Sequence, residues 1–304
     1  MKCRNLRRAG LSIVAAALLT GVTACGGSGG SEGSGGSGGS GKGGDGSPRL
    51  SPIAALRTAE KSTDGADSAK VESTTTMGSV MSMTADGALA WGDGLTGTLT
   101  ITYTGGTMAD TMRQMGTTSM EARYLPDAYY ARMGDSFAEQ AGGRHWIRYA
   151  YDDLESLGGS SGAYLKDQMQ NTTPNQSVKL LLASGDVREV GDEKVRGQRT
   201  THYSGTVEVA DLAEKNSNLS QSQLDDLRKT LEQAGVTTET VDIWVDDRDL
   251  LVKKVEKGET TAGAYAQTAY YTDYGTEVSA EVPPASDTAD FSELVKQQGA
   301  GTGS

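Results

Sequence analysis

From Ser68 onward the chain alternates. Ser68 to Thr76 is threonine-rich with a period of two, and in the next stretch Met81, Met83, Ala85, Leu89 and Trp91 share one parity while Ser82, Thr84 and Asp86 take the other. Leu95, Leu99, Ile101 and Tyr103 repeat the theme against Thr98, Thr100 and Thr102. This pattern predicts half-buried antiparallel strands joined by Gly-Asp turns. Further strands are predicted at Ser119 to Leu125, Ala128 to Met133, His145 to Ala150, Asp186 to Val195, Gln198 to Val207, Thr237 to Asp246, Leu250 to Lys257 and Ala264 to Tyr274, about eleven in all. Short turns at Pro126-Asp127, Arg196-Gly197 and Asp246-Asp247-Arg248-Asp249 suit a meander.

Helical spacing appears in fewer places. Ile53, Leu56 and Ala59, with Thr63 as a weaker fourth member, form a stripe behind Ser51-Pro52. Helices are predicted midway at Ser161 to Asn171, at Pro174 to Ser184 with Val178, Leu181 and Leu182, and at Ser220 to Ala234. The last has a Ser220-x-x-Gln223 capping box, Leu224, Leu227 and Leu231 on one face, and Gly235 as its stop. A long sheet that is polar on one face must cover the other, and these helices are the covering available. The predicted fold class is α+β: a curved antiparallel β-sheet, a half-barrel, with helices packed on its concave face.

The two ends of the chain read differently. Lys2, Arg4, Arg7 and Arg8 precede an apolar run from Leu11 to Thr20, the length of a signal peptide and too short to span a membrane. Val22-Thr23-Ala24-Cys25 then looks like the bacterial lipobox, so residues 1–24 are predicted to be removed and Cys25 to carry a diacylglyceryl group and further acylation such as palmitate. Two acyl chains exceed the single-chain threshold for stable anchoring. Arg7-Arg8 leaves export open between the general and the twin-arginine routes. Residues 26–47 hold 13 glycines, six serines and three charges, the composition of a flexible tether with an r.m.s. reach of about 25 Å. The organisation read from sequence is a leader (1–24), a lipidated cysteine with its tether (25–47), a folded domain (48–290) and a tail (291–304) that is loose from Pro283-Pro284 onward.

Charge narrows the partners. Removal of the leader's four basic residues from a total of 28 leaves 24 against 40 acidic ones, a net charge near −16. That argues against nucleic acid and against docking on an anionic membrane through a basic patch; the membrane link is the Cys25 anchor. Cys3 leaves with the leader, so no thiol remains for a disulfide, a metal or a nucleophile. His145 and His202 are the only histidines and have no motif partners, and Asp246, Asp247 and Asp249 lack the glycine and distant glutamate of a calcium loop. Catalytic residues, metal ligands and cofactors are therefore not predicted, and the protein is read as a non-enzyme. Trp244 shares its parity with Asp242 and Asp246 and is predicted to face outward.

The inward residues are unusual. Eight methionines lie between Met77 and Met133, against two phenylalanines in the whole chain. Met77, Met81, Met83, Met108, Met112, Met115, Met120 and Met133 are unbranched and adaptable; they suit a cavity for flexible acyl chains, or fill gaps in an ordinary core. Met108, Met112 and Met115 fit either one apolar helical turn or an irregular loop.

The order of elements resembles the actinobacterial LppX/LprG-type lipoproteins, relatives in fold of the LolA and LolB carriers. The resemblance rests on Cys25, on Val187 to Val195 leading through Gly197 into Thr200-Thr201-His202-Tyr203-Ser204-Gly205-Thr206, on Val241-Asp242-Ile243-Trp244-Val245-Asp246, and on Tyr271-Thr272-Asp273-Tyr274-Gly275 before Pro283-Pro284. It implies an antiparallel half-barrel whose helices enclose an apolar cavity, and binding of a lipid or acylated ligand in the cell envelope. The expected protein is anchored on the outer face of the cell membrane and carries or presents such a ligand. Met81, Met83, Leu99, Ile101, Tyr103, Met133, Ile147, Leu181, Val241 and Ile243 are predicted from strand parity to line the cavity. A transporter or sensor protein of the envelope is a further expected partner, and the alternative reading is a non-enzymatic sensor or scaffold that binds a protein.

Overall fold

Alternation becomes strand because one side of each segment can be buried. The computed structural model describes residues 51–154, 172–208 and 238–300, together with positions 162, 166, 169, 170 and 235. Cys25, the leader, the tether and the Ser220 to Ala234 helix lie outside the described residues, as does most of the Ser161 to Asn171 helix.

The elements in chain order are α1 (Pro52–Asp64), β1 (Ser68–Met77), β2 (Met81–Ala90), β3 (Thr96–Gly105), α2 (Gly106–Gln114), β4 (Ser119–Tyr124), β5 (Ala128–Arg132), α3 (Asp135–Gln140) and β6 (Trp146–Ala150). After them come α4 (Pro174–Ser184), β7 (Arg188–Val195), β8 (Gln198–Glu208), β9 (Thr238–Asp246), β10 (Leu251–Thr260), β11 (Gly263–Thr272), a 3-10 turn (Ala285–Asp287), β12 (Thr288–Asp290) and α5 (Phe291–Ala300). All twelve strands join one open, curved sheet in the order β12-β6-β5-β4-β3-β2-β1-β11-β10-β9-β8-β7. The chain steps outward from the centre in β1 to β6 and back toward it in β7 to β11, and β1 pairs with β11 where the two runs meet, from Lys70↔Thr272 to Met77↔Tyr265.

The eleven predicted strands are present, and the twelfth corrects the reading of the tail. Residues from Pro283 onward, expected to be loose, add β12 in parallel to β6 (Thr288↔Trp146 to Asp290↔Arg148) and then a helix. Ala289 is 1 % exposed against that edge, and Phe291 packs on Tyr149 at 4.7 Å between ring centroids. The sheet is therefore mixed, with this single parallel pair.

Parity decides what the helices cover. Leu56 and Ala59 of α1, Ala109 and Met112 of α2, Phe137 of α3 and Val178 and Leu181 of α4 share one apolar cluster with the inward residues of nearly every strand. α1 begins at Ser51, whose Oγ accepts a hydrogen bond from the Ala54 N–H at 3.3 Å, with Pro52 in the first turn where no N–H is needed. α4 starts with Pro174 and stops at Gly185, which takes φ 74°. It lies close on β8 because Gly205 has no side chain; a Cβ there would stand 2.6 Å from the Asp186 carbonyl oxygen and 2.7 Å from Leu181 Cδ1. A bulge in β10 between Leu251 and Lys253 is stitched from both sides. Thr63 Oγ1 accepts the Leu251 N–H at 3.1 Å, and the Tyr274 hydroxyl donates to the Leu251 carbonyl at 2.6 Å. That bond accounts for a fully buried threonine at the end of the α1 stripe.

Candidate functional site

All ten residues predicted to line a cavity lie in the single apolar cluster beneath the helices. Nine are buried, and Met133, just past β5, is partly buried against the rest. Their shared face follows from the register: Met83 stands opposite Tyr103, Ile101 opposite Met120, and Ile147 opposite Ala131. They are not one patch. β3 and β9 are separated by β2, β1, β11 and β10, so the two groups lie about 24 Å apart along the sheet at about 4.8 Å per strand. The eight methionines all belong to the same cluster, and Met108, Met112 and Met115 form the apolar side of α2, which resolves their reading in favour of a helix.

Exposure varies along the face. Leu181 of α4 and, beneath it, Val241 and Ile243 are each 0 % exposed and Ile147 of β6 is 1 % exposed, whereas Met81, Met83, Leu99, Ile101 and Tyr103 keep between 4 % and 9 %.

Charged groups share this inner face, and apolar parity did not mark them. Lys254 and Glu256 of β10 stand opposite Ile243 and Val241, and Glu239 precedes those two residues on β9 at the same parity. The Lys254 ammonium donates to Glu256 Oε1 and Oε2 at 3.0 and 3.1 Å and to Ser177 Oγ of α4 at 2.9 Å, while Ser177 donates to Glu256 Oε1 at 2.6 Å. Burial would pull the Lys254 pKa down, but the Glu256 carboxylate, aided by Tyr271 and Glu239, raises it above its ordinary value. Glu239 is 9 % exposed; burial first, then the charge of Glu256, push its pKa up to about 8 against a smaller opposing pull from Lys254. At neutral pH the cluster is thus an ion pair beside a mostly protonated acid. Glu239 was legible by parity, but the bulge before Lys253 hides the phase of Lys254 and Glu256.

At the other end of the face, tyrosines line up. Tyr124, Tyr129 and Tyr149 stand directly opposite one another across β4, β5 and β6, with ring centroids 5.1 and 5.7 Å apart. Only Tyr103 of this region was predicted; the others alternate correctly in sequence, and strand pairing supplies their alignment.

The outer face holds His202. The His202 ring stacks on Trp244 with centroids 4.2 Å apart, its Nε2 lies 2.9 Å from Asp242 Oδ1, and its Nδ1 lies 3.3 Å from Glu193 Oε1. The Trp244 indole N–H donates to Glu193, and the Lys253 ammonium sits 3.7 Å from the Trp244 ring centroid. Trp244 points outward as predicted, yet these neighbours leave it only 6 % exposed. His145 bonds Asp287 Oδ1 through Nδ1 at 2.7 Å, linking the start of β6 to the tail. The Asp246 carboxylate accepts the Arg248 and Leu250 N–H groups at 2.9 Å each, which makes the acidic run a hairpin turn. Among the described residues no group of three His, Cys, Asp or Glu side chains is placed to hold a metal.

No protein-family model matches the chain. It is 60 % identical over 256 residues to the "Uncharacterized 31.2 kDa protein in rplA-rplJ intergenic region" of Streptomyces griseus, covering 84 % of each chain. It is 56 % identical over 304 residues to "Putative lipoprotein SCO4650" of Streptomyces coelicolor, covering 96 % of this chain and 98 % of that one. Similar solved structures include LprF from Mycobacterium bovis, with 15 % identity, a TM-score of 0.47 and coverage of 79 % of this chain and 100 % of that one. LppX from Mycobacterium tuberculosis has 15 % identity, a TM-score of 0.45 and coverage of 76 % and 98 %. LprF and LppX are lipoproteins of the type the sequence resembles.

Proposed function

We propose a function from the premise that the chain belongs to the same family as the Streptomyces coelicolor protein SCO4650. On that footing it is an envelope lipoprotein of LolA-like architecture. The finer reading is that Cys25 anchors it to the outer face of the cell membrane, and that the face beneath its helices takes up a lipid or acylated molecule to carry or present it. The observation that supports this most is the methionine-rich inner wall between β2 and β4, roofed by α2 and continuous with the apolar cluster. Each methylene moved from water into such a wall contributes about 0.8 kcal/mol before ordering and desolvation costs, so one long acyl chain is enough to drive uptake. We read the protein as a non-enzyme; its histidine rings pair with carboxylates, His145 with Asp287 and His202 with Glu193 and Asp242.

A protein-binding sensor would use β7, the last strand in the sheet order among the described residues, where Val190 is 60 % exposed. That edge carries Arg188, Glu189, Asp192 and Glu193 and a bulge between Glu189 and Gly191, devices that oppose strand addition. The lipid reading is therefore preferred. Its test is native and denaturing mass spectrometry of the full-length acylated protein from a host rich in its native lipids. Stoichiometric lipid that separates on denaturation, distinct from the covalent group on Cys25, is the expected result. A protein that is empty and fails to take up offered acyl lipids would overturn it.

A further inference from the structure

The inner face between β3 and β6 holds phenol hydroxyls that bond no other described residue. Tyr124, Tyr129 and Tyr149 form a row that starts at Gly97 of β3, where the missing side chain leaves the Tyr124 ring without an opposing group. Tyr103, six positions further along β3, and Tyr151, just past the end of β6, complete the set. All five are buried, between 3 % and 8 % exposed. The Tyr151 hydroxyl is completely buried and has no hydrogen-bond partner among the described residues. The hydroxyls of Tyr103, Tyr124, Tyr129 and Tyr149 make no hydrogen bond to any other described residue.

The rings of Tyr124, Tyr129 and Tyr149 follow one another at 5.1 and 5.7 Å between centroids. Burial raises the pKa of all five phenols, and the nearness of the Tyr103 oxygen adds to the rise at Tyr124, Tyr129 and Tyr149. The phenols therefore stay protonated and act as donors. Arginines of the same strands lie on the other side of the sheet: Arg123 stands over Trp146 at 4.6 Å from the ring centroid, and Arg148 pairs with Asp127 and Asp290. A cluster of neutral donors without a cation suits a neutral acceptor and disfavours an anionic headgroup. Bare hydrocarbon would leave the donors unsatisfied.

We propose that Tyr103, Tyr124, Tyr129, Tyr149 and Tyr151 form a binding site for the ester carbonyls of a neutral glycerolipid. The assignment rests on the lipid-binding reading above and specifies which part of the lipid the β3 to β6 half receives.

The test compares 1,2-dioleoylglycerol with its dioleyl diether analogue, which keeps the hydrocarbon and the free hydroxyl and lacks both carbonyls. Binding to the full-length acylated protein is measured by native mass spectrometry from detergent. The wild type should prefer the diester by tenfold or more. Tyr129→Phe and Tyr149→Phe should each weaken diester binding by about three- to tenfold and leave diether binding unchanged. Tyr151→Phe should weaken diester binding similarly and raise the unfolding midpoint of the lipid-free protein, because it removes a buried donor that has no acceptor. Equal affinity of the wild type for both lipids, or phenylalanine variants that keep the full preference, would overturn the tyrosine assignment and leave lipid binding standing. A lowered midpoint for Tyr151→Phe would mark its hydroxyl as a structural bond and remove it from the site. Binding of neither lipid would overturn both the assignment and the reading beneath it.

Discussion

Replacing Glu239 by Gln should leave stability nearly unchanged at pH 5 and raise it at pH 8 and above. Glu239 sits at an inward position of β9 between Val207 of β8 and Gly258 of β10, with Glu256, Lys254 and Tyr271 as the titratable groups around it. Its pKa in the folded protein is about 8, against an ordinary value of 4.5. Between those two values the native state holds a proton that the unfolded chain has released, so the native state binds more protons and its stability falls as pH rises. The contribution is fully present below pH 4.5, declines by up to about 1.4 kcal/mol per pH unit through the window, and is gone above pH 8. Over the whole window this amounts to on the order of 5 kcal/mol. Glutamine has the shape of the protonated acid and no proton to lose, so the variant lacks this decline. The check is a set of urea unfolding curves at half-unit steps from pH 5 to 9, followed by tryptophan fluorescence. The stability difference, variant minus wild type, should start near zero and grow across the window. A difference that stays constant at every pH would show that Glu239 does not keep its proton in the folded state, and the reasoning would fail.

Lys254→Met removes the ammonium that bonds Ser177 and Glu256, leaving carboxylates buried without their cation. It should cost about 3–5 kcal/mol at pH 7.5 and less at pH 5, where the acids take up protons, as measured by urea unfolding at the two pH values. Gly205→Ala places a methyl group 2.6 Å from the Asp186 carbonyl oxygen, so α4 must shift. A loss of about 1–3 kcal/mol in the same assay is expected. Cys25→Ser should move the protein from the membrane pellet to the soluble fraction on cell fractionation; continued sedimentation with membranes would refute the lipid anchor.

The meander was legible because its period of two is a local property. Met81 to Trp91 and Leu95 to Tyr103 alternate within ten residues, and that alone fixes which side chains face the helices. The tail was not legible. Ala289 and Phe291 carry too short a pattern to signal a strand or a helix; their burial comes from β6 and Tyr149, some 140 positions earlier in the chain. The tyrosine row was half legible. Tyr124, Tyr129 and Tyr149 can each be assigned inward by parity, but only pairing across β4, β5 and β6 sets them side by side. Lys254 and Glu256 were hidden for a different reason, since the bulge at Leu251 to Lys253 resets the alternation that would have marked them as inward.

Parity assigned ten residues to one function, and packing divides them. Leu181 of α4 and, beneath it, Val241 and Ile243 are at 0 % exposure, beside the Lys254–Glu256–Ser177 cluster. A region so closely packed offers a ligand little room. The other half is its opposite. Met81, Met83, Met112 and Met120 line β2 to β4 and α2, where flexible side chains repack at low cost, and the buried Tyr151 hydroxyl just past β6 has no acceptor among the described residues. A core under selection for stability alone gains by replacing an unbonded buried tyrosine with phenylalanine. On the lipid-binding function we propose, ligand binding falls to the β2 to β6 half, with Met81, Met83, Leu99, Ile101, Tyr103, Met133 and Ile147 as the residues proposed to serve it. Leu181, Val241 and Ile243 then hold the sheet to its helices, so their truncation should lower stability more than it lowers lipid affinity.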